Sequence, residues 1–574
     1  MSIYHKCEIS KRKGGFSLEL SGADIIIECL KEQNVDTIFG FPGGAVLNIY
    51  DSLYKRGGSI KHILTSHEQG ASHAADGYAR VTGKTGVCIA TSGPGATNLV
   101  TGIATAYMDS VPLVAITGQV PASLIGKDSF QEVDITGITE PITKHNFLVK
   151  DVNDLAETMR KAFEIASTGR PGPVLVDVCK NATAEMAEYT PFDGKRRLNL
   201  QINNLFSEED LNAAAEAVKN AKKPVILSGG GTIIAGACEL LLTLSKKLHI
   251  PIATTLMGMS SIPGDYPLYT GLLGMHGSRV SNKVVSECDL LITVGARFSD
   301  RVISDMNRFA ADAKIMHIDA DPAEINKNIT VNYPLSGDII DIISAIIGKT
   351  EPIDETAWAV KVKEWKEEYR MRLPDNGTLK PSFIIEKFCE LTDGNAIVTT
   401  EVGQNQIWAA QYYTFNQPRQ YVSSGGLGTM GYGTGAAIGA QIAMPDKKVI
   451  NFAGDGSFRM NCNELATAVY YKLPIIIAVL NNGTLGMVRQ WQTMFYDKRY
   501  SSTTLDRGPD FVKLADAYGG VGIRVEKPEQ VEDAIKTALS YTDRPVVIDF
   551  IIDIDERVLP IVPPGKGIDQ LIYA

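Results

Sequence analysis

The sequence contains two short polar motifs, each at the end of an apolar run that is typical of a buried strand. Gly454-Asp455-Gly456 follows the run KKVINFA, and Asn481-Asn482 follows LPIIIAVL, with 24 residues between the motifs. The intervening segment is predicted to be helical, and a strand–helix–strand crossover brings both motifs to the same edge of a parallel sheet. At that edge Asp455 and Asn482 can offer side-chain oxygens to one hard cation such as Mg2+, which prefers few protein ligands together with phosphate oxygens and water.

The residues that follow Asp455 suit an anion. Gly456 and Ser457 are predicted to precede a helix, whose N-terminal amides favour a diphosphate. For the first motif alone, an ordinary Asp-Gly turn at a strand end is the stronger interpretation. Because the second motif stands at the end of the next strand, a combined cation and diphosphate site is the better prediction for the pair.

The elements that must position these motifs repeat along the whole chain. Short apolar runs end in glycine-rich turns and alternate with helical segments, a pattern that favours parallel strands buried on both faces with helices as crossovers. The predicted strands lie in VDTIF (35–39), IKHILTS (60–66), GVCIATS (86–92), VPLVAIT (111–117), KPVILSGGG (223–231), IPIATTLMG (250–258), CDLLITVGARF (288–298), AKIMHIDAD (313–321), NAIVTTEVG (395–403), KKVINFAGDG (447–456), LPIIIAVLNN (473–482) and RPVVIDF (544–550).

This repetition predicts an α/β protein of three doubly wound parallel-sheet domains. We expect the domains to cover residues 15–185, 195–350 and 375–560, because charged stretches near 184–210 and 350–380 separate the three groups of strands. Such a fold hosts many unrelated functions, so the function must be argued from the site residues.

The composition excludes several other classes of protein. The 574 residues include 56 Lys+Arg and 66 Asp+Glu, a formal net charge of −10, so we expect neither nucleic acid nor an anionic membrane surface as the main partner. The eight cysteines are scattered without C-x-x-C spacing, which predicts buried, reduced thiols rather than a zinc ribbon. No run approaches the roughly 18 apolar residues of a membrane span, and the N-terminus shows no signal-peptide core, so we expect a cytoplasmic protein.

The pair of motifs resembles the cofactor-binding signature of thiamine-diphosphate enzymes. From about residue 20 to 560 the chain is similar to the catalytic (large) subunits of one family among them, the acetohydroxyacid or acetolactate synthases. The segments that carry this resemblance, in order, are FGFPGG (39–44), HEQGASHAADGYAR (67–80), SGPGATN (92–98), FQEVDITGITEPITKHNF (130–147), GRPGPVLVD (169–177), LGMHG (273–277), GARFSDRV (295–302), SSGGLGTMGYG (423–433), GDGSF (454–458) and NNGTLGMVRQW (481–491).

The resemblance implies a thiamine diphosphate site built from the first, pyrimidine-binding domain and the third, diphosphate-binding domain. Glu68 is implied as the catalytic carboxylate that bonds the ring nitrogen N1′ of the cofactor and promotes deprotonation of its carbon C2. Asp455, the Asn482 side chain and the Thr484 carbonyl are implied as Mg2+ ligands. Further cofactor contacts implied by position are Pro42, Asn98, Gln404, Asn405, Gly428, Met430, Gly456, Ser457, Leu485, Gly486 and Met487, with Met430 as an apolar wedge that bends the cofactor and Gly428 as acceptor for its 4′-amino group.

Taken alone, Glu68 has two other interpretations. An acidic residue at the start of a helix complements the helix dipole and occurs in many proteins. A zinc site with His67 and His73 is a weaker alternative, because the spacing is not H-E-x-x-H.

The middle domain contains glycines and acids at strand ends, which fit the phosphates and ribose of a dinucleotide. No clean GxGxxG follows its first strand, so an empty, degenerate domain is an equal alternative from the residues alone. The resemblance favours FAD with a structural role and no net redox role, because GARFSDR is similar to the family's FAD-binding segment. The positions implied at the flavin are Arg170, Gly230, Thr255, Leu256, Met275, His276, Gly295, Arg297 and Asp319.

The reaction implied by the resemblance is a carboligation in branched-chain amino acid biosynthesis (valine, leucine and isoleucine). Pyruvate loses CO2, and its remaining two-carbon unit joins a second pyruvate or 2-oxobutyrate to give 2-acetolactate or 2-aceto-2-hydroxybutyrate. Arg301 is implied to hold the acceptor carboxylate, and an alkyl pocket is implied for Phe130, Met275 and Trp491.

Two further residues, Gln131 and Lys180, are implied as catalytic residues beside Glu68. Gln131 stands where related decarboxylases have a pair of histidines, which argues against simple decarboxylation to an aldehyde. A flavin-dependent 2-oxo-acid oxidase or decarboxylase on the same scaffold is the alternative enzyme, and a non-catalytic nucleotide-binding or regulatory protein is the alternative of another class. The family further implies a homodimer or homotetramer with the active site at the subunit interface, and leaves room for a small regulatory subunit.

Overall fold

The structure is a computed structural model that describes residues 10–12, 15–192, 204–369 and 378–573. The predicted domain boundaries near 184–210 and 350–380 fall partly outside the described residues. Cys7 lies outside them as well. Within the described ranges, no helix combines the length and the apolar character needed to cross a membrane.

The chain forms two compact units. The first unit comprises Met1–Gln201 with two later segments, Gly426–Ala443 and Asn461–Tyr471; the second comprises Ile202–Gly425, Met444–Met460 and Lys472–Ala574. One six-stranded parallel sheet lies in the first unit and two lie in the second. With helices flanking each sheet, the α/β architecture with three doubly wound sheets is confirmed.

The described residues in the N-terminal part of the first unit form nine strands and eight α-helices. The strands are β1 Ser10–Arg12, β2 Gly15–Ser21, β3 Thr37–Phe41, β4 Lys61–Leu64, β5 Gly86–Ala90, β6 Leu113–Gln119, β7 His145–Val149, β8 Pro173–Cys179 and β9 Met186–Tyr189, and the helices are α1 Gly22–Glu32, α2 Leu47–Arg56, α3 Glu68–Thr82, α4 Pro94–Asn98, α5 Val100–Asp109, α6 Ile135–Thr139, α7 Leu155–Ser167 and α8 Lys180–Ala184. The first parallel sheet has the order β4-β3-β5-β6-β8-β7, and β1, β2 and β9 form a small antiparallel sheet.

The middle sheet has the order β12-β11-β10-β13-β14-β15, so the chain moves outward in one direction from β10 and then in the other from β13. Its strands are β10 Pro224–Ser228, β11 Ile252–Thr254, β12 Tyr269–Leu272, β13 Leu290–Val294, β14 Lys314–Asp319 and β15 Tyr333–Ser336, and its helices are α9 Glu208–Asn220, α10 Gly230–Ile234, α11 Cys238–Leu248, α12 Arg279–Glu287, α13 Asp300–Ile303, α14 Ile339–Gly348 and α15 Ala357–Glu368. The neighbours β10 and β13 define the topological switch point of this sheet.

The third sheet has the order β17-β16-β18-β19-β21-β20, which repeats the strand order of the first sheet. The strands are β16 Ile397–Thr400, β17 Tyr421–Val422, β18 Val449–Gly454, β19 Ile476–Asn481, β20 Val521–Val525 and β21 Val546–Ile551, and the helices of this part of the chain are α16 Pro381–Leu391, α17 Gln404–Tyr412, α18 Tyr432–Ala443, α19 Asp455–Phe458, α20 Leu465–Tyr470, α21 Gly486–Phe495, α22 Phe511–Tyr518 and α23 Val531–Ser540. Of these helices, α18 and α20 belong to the first compact unit.

Close backbone contact fixes α18 against α3 within the first unit. A Cβ on Gly439 would lie 1.9 Å from the carbonyl oxygen of Ala74, and a Cβ on Gly77 would lie 2.3 Å from that of Ala436. Only glycine permits this approach, so the small residues of YGTGAAIGAQIA pack the two helices backbone to backbone.

Two details of the local predictions are wrong. The run 60–66 was expected to be buried on both faces, but β4 is an edge strand in which only Ile63 is fully buried, because nothing in the sheet pairs with its outer side. Gly456 and Ser457 were expected to precede a helix, but they lie inside the short helix α19, which begins at Asp455 itself.

Candidate functional site

The two polar motifs of the third sheet meet at its carboxyl edge. Strands β18 and β19 pair in parallel with Gly454 opposite Leu480, so Asp455 and Asn482 follow directly on neighbouring strands, as the spacing predicts. Asp455 is buried, and burial raises the pKa of its carboxyl group to about 7, against the lowering effect of backbone N–H groups and the charge of Arg459. A buried carboxyl group with a raised pKa needs a nearby cation to be fully ionised at neutral pH.

Asn482 and Thr484 complete a set of oxygen atoms beside Asp455. The Asn482 amide nitrogen donates to Gln404 Oε1 at 3.1 Å, which leaves the Asn482 oxygen as the acceptor that faces the Thr484 N–H at 3.2 Å. The Thr484 hydroxyl donates to the Thr503 carbonyl at 2.8 Å, so the backbone carbonyl of Thr484 is the group that could bind a cation. One carboxylate with amide and carbonyl oxygens suits Mg2+. Over the described residues no cluster of three or more His, Cys, Asp and Glu side chains suits a metal such as zinc.

The predicted diphosphate residues surround this edge. Gly486 begins α21, and a Cβ there would lie 1.9 Å from Gln404 Oε1 and 2.6 Å from the Asn482 amide nitrogen, so a larger residue would displace these side chains. Leu485 is the N-cap of the same helix, and Met487 lies in its first turn. Backbone N–H groups in a first helical turn have no partner within the helix and can bind an anion.

Two polar residues implied at the diphosphate differ in how their side chains are used. The Gln404 amide nitrogen donates to Gln490 Oε1 and to the Glu556 carbonyl. The Asn405 amide nitrogen donates to the carbonyls of Glu401 and Phe452, both at 2.8 Å. Asn405 therefore ties the start of α17 to the ends of two strands.

A cavity of about 620 Å³ in the second unit contains Arg301 and Trp491 together. Arg301 lies in α13, where its guanidinium contacts Met275 Sδ at 3.3 Å while the Met275 N–H donates to the Arg301 carbonyl. The structure therefore brings together three of the four residues implied around an acceptor. The other cavity-lining residues are Met487, Val488, Gln492, Tyr496, Arg499 and Ser501.

Most of these additional cavity residues were missed by the sequence reasoning. Val488, Trp491 and Gln492 follow one another at helical spacing along α21, so the i, i+3, i+4 pattern after NNGTLGM is the signal that could have found them. Arg499 has no such signal, since it lies in the loop that follows the helix.

In the first unit, Glu68 is the first residue of α3 and its side chain is buried. The Asn98 amide nitrogen donates to Glu68 Oε2 at 2.9 Å, so two residues implied at the cofactor are in direct contact. A Cβ on Gly95 would lie 3.3 Å from Glu68 Oε1, which shows a narrow approach to that oxygen. Pro42 follows β3, the central neighbour of β4 and β5, at the carboxyl edge of the same sheet.

Glu464 holds the turn before Glu68 and was not singled out from the sequence. Its fully buried carboxylate accepts the N–H of His67 at 3.0 Å and the N–H of Ser66 at 3.2 Å, and the Thr467 hydroxyl donates to it at 2.6 Å. Burial raises the pKa of Glu464. A single Glu in a helical segment gives no sequence signal for this role, because the two backbone N–H groups that it accepts lie almost 400 residues away.

The remaining residues implied in the first unit lie in loops and at the start of α8. Gln131 has a left-handed φ of 59° and packs against Gly93, and its neighbour Phe130 is 88% exposed. Lys180 is exposed at the start of α8. Arg170 donates from Nε to the Ser110 hydroxyl at 2.8 Å.

The switch point of the middle sheet is lined by glycine backbone. The Gly231 N–H donates to the Gly295 carbonyl at 3.0 Å, and a Cβ on Gly295, whose φ is 58°, would lie 2.5 Å from the Gly231 Cα. Gly230 begins α10 directly after β10. Glycine backbone from the ends of β10 and β13 therefore packs together at the carboxyl edge, where doubly wound sheets bind nucleotides.

Other residues implied at a dinucleotide lie on the same sheet or beside it. Asp319 ends β14 opposite Ser336, whose buried hydroxyl has no hydrogen-bond partner among the described residues. Burial lowers the pKa of His276 to about 4 and keeps the ring neutral at physiological pH. Thr255 caps the turn that begins with Leu256, while Arg297 follows Gly295 beyond β13.

Comparison with known proteins adds three family models and close relatives. The models described as thiamine pyrophosphate enzyme N-terminal TPP binding domain, central domain and C-terminal TPP binding domain match residues 20–138, 211–346 and 401–550. A probable acetolactate synthase large subunit of Methanocaldococcus jannaschii is 45% identical over 570 residues, covering 96% of this chain and 95% of the relative. The acetolactate synthase large subunit of Haemophilus influenzae is 42% identical (97% and 98% covered), and the acetolactate synthase isozyme 2 large subunit of Escherichia coli is 43% identical (96% and 99% covered).

Proposed function

The chain belongs to the thiamine pyrophosphate enzymes, within them to the acetolactate synthase large subunits, and on that premise we propose that it makes acetolactate in branched-chain amino acid biosynthesis. The substrates are pyruvate and a second 2-oxo acid, either pyruvate or 2-oxobutyrate, and the products are 2-acetolactate and 2-aceto-2-hydroxybutyrate. The observation that supports this most directly is the parallel edge where Asp455 and Asn482 lie on neighbouring strands. A binding protein without catalysis has no need for the buried Glu68–Asn98 pair as well.

The residues fit a thiamine diphosphate site. When bound, this cofactor supplies a nucleophilic carbon and an electron sink for the decarboxylation of a 2-oxo acid. Glu68 would hold a proton on the carboxylate oxygen that Asn98 leaves open, and Asn98 keeps that side chain in one orientation. Gly486 keeps the start of α21 open to the diphosphate, since any larger residue would displace Gln404.

The same edge fits Mg2+. Asp455, the Asn482 oxygen and the Thr484 carbonyl would hold the cation, whose charge would keep Asp455 ionised despite a pKa near 7 in its absence. Phosphate oxygens and water would fill the other positions, as Mg2+ prefers.

The acceptor fits the cavity of Arg301 and Trp491. Arg301 offers a planar fork of donors that matches a carboxylate, and Trp491 with Met487 offers apolar surface for an alkyl group. One extra methylene in such a pocket is worth only about 1–3 kcal/mol, so we expect a moderate preference between 2-oxobutyrate and pyruvate. Phe130, Met275, Gln131 and Lys180 are proposed as further residues near the substrate.

The middle sheet fits FAD in a structural role. Its glycine surface at the β10–β13 switch point would accommodate a pyrophosphate, and Asp319 lies at the end of the next strand, where a ribose is bound in such folds. The partnerless hydroxyl of Ser336 beside Asp319 is a further donor for a ligand.

The assembly is proposed as a homodimer or homotetramer with active sites at the subunit interface, because the implied cofactor residues are divided between two domains. Three of the relatives are named large subunits, which supports a small regulatory subunit as partner of this chain. We place the protein in the cytoplasm, where these substrates are expected.

One experiment tests the proposal. The purified protein is supplied with thiamine diphosphate, Mg2+ and FAD, given pyruvate with 2-oxobutyrate, and both acetohydroxyacids are quantified. Acetaldehyde or acetate as the main product would instead identify a decarboxylase or a flavin-dependent oxidase on the same scaffold. Loss of both products when Mg2+ is removed, and their return when it is restored, would support the Asp455 site.

A further inference from the structure

The loop 426–431 contains Gly428 and Met430 and is fixed at several points within the first unit. The Gly426 N–H donates to Asp109 Oδ1 at 2.7 Å, and the hydroxyls of Thr429 and Thr105 lie 2.7 Å apart. At the other end, the Asn461 amide nitrogen donates to the Gly431 carbonyl at 2.6 Å. Gly428 and Gly431 both have left-handed backbone angles, with φ of 73° and 87°. Because glycine is conformationally permissive, we expect the loop to need these outside contacts to keep one conformation.

A buried charged cluster lies behind these anchors. Arg80 donates from Nε to Asp76 Oδ1 at 2.6 Å and from a terminal nitrogen to Asp109 Oδ2 at 2.9 Å. Tyr432, the first residue of α18, donates its hydroxyl to Asp76 Oδ1 at 2.5 Å. The loop is therefore connected through Asp109 at its start and through Tyr432 at its end to the same guanidinium.

The charged side chains of this cluster are shielded from water. The Asp76 and Asp109 side chains are fully buried, and the Arg80 side chain is 10% exposed. Burial alone disfavours the charged guanidinium, but the two carboxylates outweigh it and hold the pKa of Arg80 well above its usual value. Burial raises the pKa of Tyr432, which keeps its hydroxyl protonated as a donor.

A cluster of this kind is not required for stability. Well-packed apolar residues of similar volume often stabilise a core at least as well as a buried ion pair, whereas hydrogen-bonded charges impose one geometry on the groups they connect. Here the connected groups are the two ends of a single loop. Asp76 and Arg80 lie on α3, and Asp109 lies on α5. Glu68 is the first residue of α3, and Asn98 lies just before α5.

We propose that Asp76, Arg80, Asp109 and Tyr432 are positioning residues that set the place of Gly428 and Met430 for a bound cofactor. This inference rests on the proposed function, because Met430 has a role there only if thiamine diphosphate binds. The cluster acts on the cofactor through the loop and touches neither substrate nor cofactor itself. Loss of one connection lets the loop shift and lowers the fraction of bound cofactor in its reactive conformation.

Tyr432→Phe tests this with a matched control. The control is Tyr78→Phe, because Tyr78 lies on α3 with Asp76 and Arg80 and donates its hydroxyl to Asp36 Oδ1 at the same 2.5 Å. Among the described residues, that hydroxyl makes no hydrogen bond to the loop. For each variant we would measure the melting temperature, the affinity for thiamine diphosphate with Mg2+, the exchange rate of the C2 proton of the bound cofactor, and kcat and KM for pyruvate. Losing a hydrogen bond to a charged group should lower the exchange rate and kcat of Tyr432→Phe about tenfold while pyruvate KM changes little. Tyr78→Phe should leave both rates near those of the wild type.

Thr429 provides a second pair of variants in case Tyr432→Phe folds poorly. Thr429→Val removes the hydroxyl that contacts Thr105 and should slow C2 exchange, whereas Thr429→Ser keeps the hydroxyl and should restore the wild-type rate. Equal effects of Tyr432→Phe and Tyr78→Phe, or equal rates in Thr429→Val and Thr429→Ser, would overturn the positioning role while leaving acetolactate formation intact. A wild-type protein that fails to bind thiamine diphosphate would instead remove the proposed function and this inference together.

Discussion

The first and third sheets share one strand order but differ in the side chains at their carboxyl edges. In each sheet the second strand of the chain lies outermost beside the first, and the fifth and sixth are exchanged at the other side. The acid of the first sheet, Glu68, begins the helix after its second strand and accepts a side-chain N–H from Asn98. The acid of the third sheet, Asp455, follows its third strand directly, and its pKa is raised to about 7.

Under the proposed function, this difference assigns proton transfer to the first sheet and cation binding to the third, although both have the same strand order. Both sheets offer an edge of strand ends and helix starts, which a diphosphate or a ring could use. The first sheet bonds its carboxylate to a side-chain amide, and under the proposed function that group serves proton transfer. The third buries its carboxylate next to Asn482, and under the proposed function that group binds a cation.

The largest effect is expected for Glu68→Gln. If the first sheet provides proton transfer and the third provides cofactor binding, this variant should lose about 10²–10⁴-fold in kcat while it still binds thiamine diphosphate with Mg2+. Product formation and isothermal titration calorimetry measure the two properties. Glu28→Gln, which disturbs only a surface pair with Lys31, is the control and should be nearly silent. Unchanged turnover in Glu68→Gln would contradict the division of labour.

The converse result is expected for Asp455→Asn. Loss of the carboxylate should weaken Mg2+-dependent binding of thiamine diphosphate by at least about 100-fold, since even outer-shell changes cost a metal site 10–100-fold. The matched control is Asp177→Asn in the first sheet, because burial raises the pKa of Asp177 to about 7 as well, yet Thr117 and Gln119 donate to it. Calorimetry should show near wild-type Mg2+ dependence for that control, and a similar loss in both variants would show that the third sheet has no special cation site.

A tenfold effect is expected for the acceptor cavity, which neither edge carboxylate should influence. Arg301→Lys replaces a planar fork with a point charge, so KM for the acceptor should rise about tenfold with a smaller change in kcat. Arg308→Lys, at a surface pair with Asp569, is the control. The measurement is a competition assay between pyruvate and 2-oxobutyrate. An acceptor KM that stays unaltered in Arg301→Lys would show that the acceptor binds outside this cavity.

The pH dependence of Mg2+ binding sharpens the contrast between the two acids. A carboxyl group with a pKa of about 7 is mostly protonated at pH 6 and mostly ionised at pH 8, and only the ionised form binds the cation. The apparent Kd for Mg2+ should therefore be about tenfold weaker at pH 6 than at pH 8 in the wild type. Asp177→Asn should keep this slope, and Asp455→Asn should lose it.

The smallest expected effect is on stability without the cation. Because the folded pKa of Asp455 is raised above its ordinary value of 3.8, this group lowers the free energy of unfolding as pH rises from about 4 to 7. Asp455→Asn should then melt about 2–4 °C higher than the wild type at pH 8 in a chelator. Adding Mg2+ should raise the melting temperature of the wild type alone.

The central strands were predictable because their residues are continuously apolar. All five residues of β5 are buried, and the sequence GVCIA shows this directly. The outer strands β7, β12, β15 and β20 were missed, because each contains partly exposed residues at the sheet margin and so lacks a continuous apolar run. Interior strand β8 was missed for another reason: Asp177 interrupts its apolar run, and only the structure shows the donors that permit its burial.

The proximity of Asp455 and Asn482 was predictable, because chain spacing determines it. The site was not predictable where distant segments meet, as for Glu464 at the start of α3. Nor could the sequence show that the Asn405 amide nitrogen donates hydrogen bonds to two backbone carbonyls. Such choices depend on which groups burial leaves without water, and no single-sequence pattern records them.

The composition of the first compact unit has a consequence for synthesis of the chain. Its helix α3 is covered by α18, and Tyr432 bonds Asp76 across 356 residues of sequence. A nascent chain that has emerged only to residue 201 therefore has the first sheet but exposes the glycine-lined surface of α3. Folding of this unit can finish only after residue 471 has left the ribosome. Although residues 1–201 are synthesised first, completion of their folding waits for the later segments of the same unit.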